Sequence, residues 1–170
     1  MKSSRIFDLN SAFPRALLPL SAVITAFMRF LPTIVVYIPI HIASGLPVNQ
    51  NTLWVIPVLA LILFMAAGLA MLVAAAQVYF RDLSNFLPYM LRIWLYISPV
   101  LYFAANVPHD YKWLLKVNPL AGLLTAWSDA LFGIRPDASS VALGLAWGLG
   151  IFIVAGLFFL SREREFAVRL

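Results

Sequence analysis

Four long apolar runs, separated by short stretches that hold most of the polar residues, constrain this chain more than any other feature. They are Ala16–Ala43, Leu53–Gln77, Phe86–Ala105 and Val141–Leu160. About 17–25 apolar residues make one membrane-spanning helix. Of the 170 residues, 63% are hydrophobic and 11% charged, whereas a soluble domain is about half apolar and about a quarter charged. The expected fold is therefore all-α, a polytopic membrane domain with about four transmembrane helices. A short re-entrant or interfacial helix pair is expected in region 106–138. One membrane domain fills residues 1–170, and no length remains for a separate soluble catalytic domain.

The net charge of +5 does not form a nucleic-acid-binding stripe. The basic residues instead sit at the ends of the apolar runs, as membrane topology requires. Lys2, Arg5 and Arg15 precede the first run, Arg81 follows the second, and Arg162, Arg164 and Arg169 follow the fourth. All fall on one side if the N-terminus is cytoplasmic. The other side then holds Lys112, Lys116 and Arg135, balanced by Asp110, Asp129 and Asp137. Both termini are thus expected in the cytoplasm, with Asn106–Ser140 outside. The first run is too long and too proline-rich, with Pro19, Pro32 and Pro39, for a cleaved signal peptide. Those prolines predict a tilted or kinked helix. In the second run Ala66, Ala70 and Ala74 form a small-residue stripe, and Gly144 and Gly148 form a spaced pair in the fourth. Both patterns permit close helix approach.

Within the outer region Asn118 is placed to cap a helix, Pro119 to start it and Gly133 to end it. Leu120, Leu123, Leu124, Trp127 and Leu131 would share one face. From Pro119 to Phe132 such a helix reaches roughly 21 Å, short of the roughly 30 Å hydrocarbon core. It therefore either rests at the interface or dips in and returns. A re-entrant backbone is tolerated only against protein or a water-filled cavity, which would make it a wall of an outer mouth.

Bond-making chemistry has no evident carrier. No Gly-rich phosphate loop ending in Lys-Ser/Thr occurs, and the chain lacks cysteine. His41 and His109 stand apart, and no cluster has metal-ligand spacing, so neither metal nor bound cofactor is expected. Arg29 lies fourteen residues beyond Arg15, roughly 21 Å along a helix and near mid-membrane. It either faces a polar pathway and meets an anionic head group, or pairs within the bundle, or snorkels. Arg92, nearer an end, is expected to snorkel. Trp94, Tyr96, Tyr102 and Phe103 crowd the third run. They can stack on sugar faces or pack as core and interface anchors.

Several short motifs recur in a telling order. They are Phe13-Pro14-Arg15 with Leu18-Pro19-Leu20; Tyr79-Phe80-Arg81-Asp82; Ser98-Pro99-Val100-Leu101-Tyr102; Asn118-Pro119-Leu120 with Asp129-Ala130-Leu131-Phe132-Gly133; and Arg162-Glu163-Arg164-Glu165-Phe166. In these the chain resembles the membrane permeases of ABC-2-type exporters, in the polysaccharide, O-antigen, teichoic-acid or galactan branch.

The resemblance implies a bacterial inner-membrane permease, not an enzyme, that dimerises and docks to an ABC ATPase subunit. ATP is used by that partner, the cargo is a lipid-linked glycan, and no nucleic acid is involved. It implies ATPase contacts from Arg5, Phe13, Arg15, Arg81 and Asp82. Arg29, Trp94, Tyr96, Tyr102, Phe103, Trp127 and Asp129 are the candidate pathway residues. The family segment after Ser-Pro-Val-x-Tyr forms short re-entrant helices. Such permeases have about six spans, and this chain starts where their third begins. It is therefore expected to be a truncated frame, a fragment or half of a split permease. A drug or small-lipid efflux permease, or a non-transporting scaffold of a cell-envelope complex, stays open as an alternative.

Overall fold

The computed structural model describes residues 17–80 and 82–169, the last eleven as helical backbone only. Arg5, Phe13, Arg15 and Arg81 lie outside the described residues. The described residues form six α-helices in order: α1 (Leu17–Ala43), α2 (Val55–Tyr79), α3 (Leu83–Ile97), α4 (Lys112–Val117), α5 (Ala121–Leu131) and α6 (Ala138–Arg169). Short 3-10 turns occupy Gln50–Trp54, Ala104–Asn106 and His109–Tyr111. No strand occurs among the described residues, so the all-α expectation holds.

Among the described residues three segments are long and apolar enough to cross a membrane: Leu17–Ala43, Gln50–Tyr79 and Ala138–Phe158. The third expected span, 86–105, is instead the 15-residue α3, which stops at Ile97. The cause is local. Pro99 disfavours a helical conformation at the residue before it, and Ser98 is extended at φ −85°, ψ 146°. Pro99 therefore lies beyond the helix rather than inside it. The last helix starts at Ala138 rather than 141, because Asp137 caps it. Its carboxylate accepts from the Ser140 N–H at 3.1 Å and from the Ser139 and Ser140 hydroxyls. The charged tail after Leu160 continues this helix to Arg169.

The main packing seam runs between α2 and α6. A Cβ on Gly68 would sit 3.1 Å from the backbone nitrogen of Phe152. Phe64 and Phe152 stack beside it with centroids 4.7 Å apart, and Met65 and Ala155 are fully buried. The small-residue approach thus centres on Gly68, Ala75 and Gly148, all buried on this seam. The expected stripe of Ala66, Ala70 and Ala74 stays half-buried, and Ala66 lines a cavity shared with α1.

The short helix α5 is not laid alone on a surface. It packs against α2, α6 and the Gln50–Trp54 turn. Its buried residues are Ala121, Gly122, Leu123, Ala126 and Ala130. The helix meets its neighbours mainly through small residues four apart, while Leu124, Trp127 and Leu131 are half-buried. A Cβ on Gly122 would lie 2.5 Å from the Ser140 carbonyl oxygen, and one on Gly144 2.5 Å from Leu123 Cγ. The spaced glycine pair of α6 therefore serves two neighbours, Gly144 admitting α5 and Gly148 facing Phe64 and Met65 of α2.

Candidate functional site

Ser98 and Asn118 lie in the two breaks singled out by sequence, twenty residues apart, and both are buried. The Asn118 amide Nδ2–H donates to Ser98 Oγ at 2.8 Å. Its Oδ1 accepts from Trp94 Nε1–H at 2.9 Å and from the Leu120 N–H at 3.1 Å. One side chain thereby ties the end of α3 to the start of α5. A buried amide left without these partners is costly, more so where lipid replaces water. The Asn118 carbonyl also accepts from the Ala121 N–H at 3.2 Å, so the Asn-Pro-Leu turn leads directly into the helix. Nearby, the Tyr102 hydroxyl donates to the Ile97 carbonyl at 2.6 Å and folds the Ser-Pro-Val-Leu-Tyr break back on α3.

The other end of α5 is held as firmly. Gly133 takes the left-handed conformation, φ 70°. The Ile134 N–H then donates to the Asp129 carbonyl at 2.8 Å and the Gly133 N–H to the Ala130 carbonyl at 3.1 Å, which closes the helix. The Gly133 carbonyl accepts from both Asn49 Nδ2–H and Asn51 Nδ2–H, each at 2.9 Å. These asparagines come from the uncharged turn between α1 and α2, more than eighty residues away in sequence. A further contact, Trp147 Nε1–H to the Lys116 carbonyl at 3.3 Å, pins α4 to α6. Three asparagines therefore clamp a helix too short to cross the bilayer, one at its start and two at its end.

The proposed pathway residues distribute around this clamp. Trp94 and Tyr102 are half-buried at its α3 end. Phe103 is exposed and meets Phe132 edge-on at 5.4 Å, beyond the C-terminus of α5. Trp127 lies on α5 with its ring 6.5 Å from Phe30 of α1. Asp129 also lies on α5. Burial first, and then the charge of Asp137, push its carboxyl above the usual range. Arg29 is exposed on α1 and lines neither of the cavities beside it, and Tyr96 is exposed on α3. Asp82 is exposed in the turn between α2 and α3. Among the described residues no group of His, Cys, Asp and Glu is arranged to hold a metal.

A family model described as ABC-2 type transporter matches residues 8–132. The chain belongs to the ABC-2 type transporter family. It is 30% identical over 160 residues to an O-antigen export system permease protein RfbA of Klebsiella pneumoniae, a match covering 93% of this chain and 61% of the relative. A second such protein of that organism is 31% identical over 122 residues, 71% of this chain and 47% of the relative. The RfbA permease of Myxococcus xanthus is 30% identical over 162 residues, 91% of this chain and 61% of the relative. The chain thus spans about half to three fifths of the length of these curated relatives. No solved structure matches it. Family and apolar helices together make this a multi-pass membrane protein. The family match covers α1 to α5 and includes the three clamping asparagines, ending one residue before Gly133.

Proposed function

We propose that this chain is permease material of an ABC exporter that moves lipid-linked polysaccharide of O-antigen, teichoic-acid or galactan type across the bacterial inner membrane. The observation that carries the reading is the clamp of α5 by Asn49, Asn51 and Asn118, inside the segment matched to the transporter family. The names of the similar export permeases support the cargo class. A helix shorter than the membrane, held at both ends by hydrogen bonds, is a rigid wall that can line a polar route. Asp129, half-buried on this helix, is suited to hydrogen-bond sugar hydroxyls. Exposed Tyr96 and Phe103 offer faces for sugar stacking. Arg29 would meet the anionic linkage between lipid and sugar.

The driving force comes from a separate ATPase, and this chain binds no cofactor of its own. Arg5, Phe13, Arg15, Arg81 and Asp82 make the ATPase contact, with both termini cytoplasmic, and two permease copies enclose the route. The test is glycan export in cells whose own permease gene is deleted, supplied with the chain together with its neighbouring ATPase. Surface glycan restored by the wild type and abolished by Asn118→Leu at equal membrane abundance supports the reading. Surface glycan unchanged by loss of the gene contradicts it.

A further inference from the structure

A cavity of about 480 Å³ lies between the C-terminal half of α1, the Gln50–Trp54 turn, the start of α2 and α5. Pockets of roughly 300–1,000 Å³ are the size that takes small ligands. Its wall is almost wholly apolar, and no Lys, Arg, Asp or Glu lines it. His41 lines it and is only 6% exposed. The Tyr37 hydroxyl lies 3.1 Å from His41 Nδ1. In the tautomer that carries the ring proton on Nε2, that hydroxyl donates to Nδ1. His41 Nε2, a donor in that tautomer, is buried and has no partner among the described residues. In hydrocarbon such a donor costs several kcal/mol if nothing accepts from it.

The dimensions identify an occupant. From Phe30, at the deep end beside Trp127, to His41, two residues from the end of α1, the helix rises about 16 Å. One leaflet of the hydrocarbon core is about 15 Å thick. Ile38, Ile42 and Ile56 at the rim are more than half exposed among the described residues and stand on helices long enough to cross a membrane, so the rim is apolar and open. A phosphate group would need cations, and the wall has none. An ester carbonyl needs only a donor at the depth of the helix end, where His41 stands. We propose that this cavity binds one acyl chain of a bilayer phospholipid, with its glycerol-ester carbonyl accepting from His41 Nε2–H. Trp127, a candidate pathway residue, also lines this cavity, so the site adjoins the proposed route, but it does not depend on what the permease carries.

The test uses the full chain in phosphatidylcholine vesicles doped with a phosphatidylcholine whose acyl chain carries a diazirine. After irradiation, adducts are mapped by peptide mass spectrometry. Adducts concentrated on Ile34, Ile38 and Trp127, above the more exposed Ile153 and Val154 of α6, are expected. Ile38→Trp and Thr33→Phe each fill the cavity from a different level, and both should remove the Trp127 adduct. His41→Phe keeps the apolar wall and should weaken retention of the lipid by about fivefold, the effect of one hydrogen bond. Uniform labelling of all exposed spans overturns the proposal, as does labelling of Trp127 that survives both filling variants. Oxidative crosslinking of Ile38→Cys into a dimer, with no lipid adduct, would give the cavity to a second copy instead. Glycan export is not a readout here, so failure of this site leaves the proposed function untouched.

Discussion

Two of the described helices that are too short to cross a membrane, α3 and α5, have opposite fates. The 15-residue α3 buries none of its side chains, and Phe86, Tyr89, Met90, Ile93 and Tyr96 are all more than half exposed. The 11-residue α5 buries five residues and packs against two long helices. Greasiness does not separate them, because both are apolar. Side-chain size and end chemistry do. Gly122, Ala126 and Ala130 let α5 approach α2 and α6 closely, and amides fix both its ends. The bulky surface of α3 faces outward, and α3 is fixed mainly at its C-terminal end, where Trp94 and Ser98 reach Asn118. A short helix in this fold is positioned by small residues and asparagines, while a short helix of large residues presents a surface.

That contrast can be broken by substitution, most severely at the shared hinge. Asn118→Leu leaves the Trp94 and Leu120 N–H groups without acceptors in a buried place. It should destabilise the protein by about 2–4 kcal/mol, seen as a lowered midpoint in thermal unfolding of the purified protein. Gly122→Val should cost about 1–3 kcal/mol through overpacking against the Ser140 carbonyl, in the same assay. Gly133→Ala forces a side chain into the left-handed conformation and places its Cβ 2.8 Å from the Asn49 amide. About 1–2 kcal/mol is expected, with faster backbone hydrogen exchange confined to the end of α5. On α3, by contrast, Tyr89→Ser and Tyr96→Phe should change stability by less than about 0.5 kcal/mol, whatever they do to export.

A pH series sharpens the same contrast. Asp129 has a folded pKa raised by burial and by Asp137. Its contribution to folding is therefore most favourable below the unfolded carboxylate pKa and is lost as pH rises through the folded value. Asp129→Asn should raise the unfolding midpoint at pH 7, with the gain vanishing in acid. Asp137 is the opposite case. The Ser139 hydroxyl and then the Ser140 N–H hold its carboxyl below the usual range. Its contribution is full above the unfolded pKa and disappears as pH falls through the lower folded one. Asp137→Asn should lower the midpoint at pH 7 and leave it unchanged at strongly acid pH.

Much of this architecture is legible in the sequence. Length and apolarity give three of the spans, and the Asn-Pro and Gly signals give the position of α5. The same reasoning overextends the third run, because Phe86–Ala105 is apolar throughout while Pro99 acts on the backbone of Ser98. What stays hidden is which polar groups meet. Ser98 and Asn118 are separated by twenty residues, and Asn49 and Gly133 by eighty-four. Helical periodicity carries no record of such distances. The available signal was chemical: an uncharged turn holding Asn49, Gln50 and Asn51, and two polar residues each preceding a proline in apolar surroundings. In a membrane such groups need partners, and within this chain they are each other's or the backbone's. His41, isolated in sequence, is buried and paired with Tyr37 one helical turn before it, a relation visible at i, i+4 spacing once the face is known.

The central claim is that Asn118 joins the end of α3 to the start of α5 as one unit. A double-mutant cycle on Ser98→Ala and Asn118→Ala, read by thermal unfolding in lipid nanodiscs, tests it most directly. Coupling of about 0.5–1 kcal/mol is expected, in the range of hydrogen bonds between membrane helices. Effects that add within about 0.3 kcal/mol would mean that the two breaks fold independently, and would contradict the account.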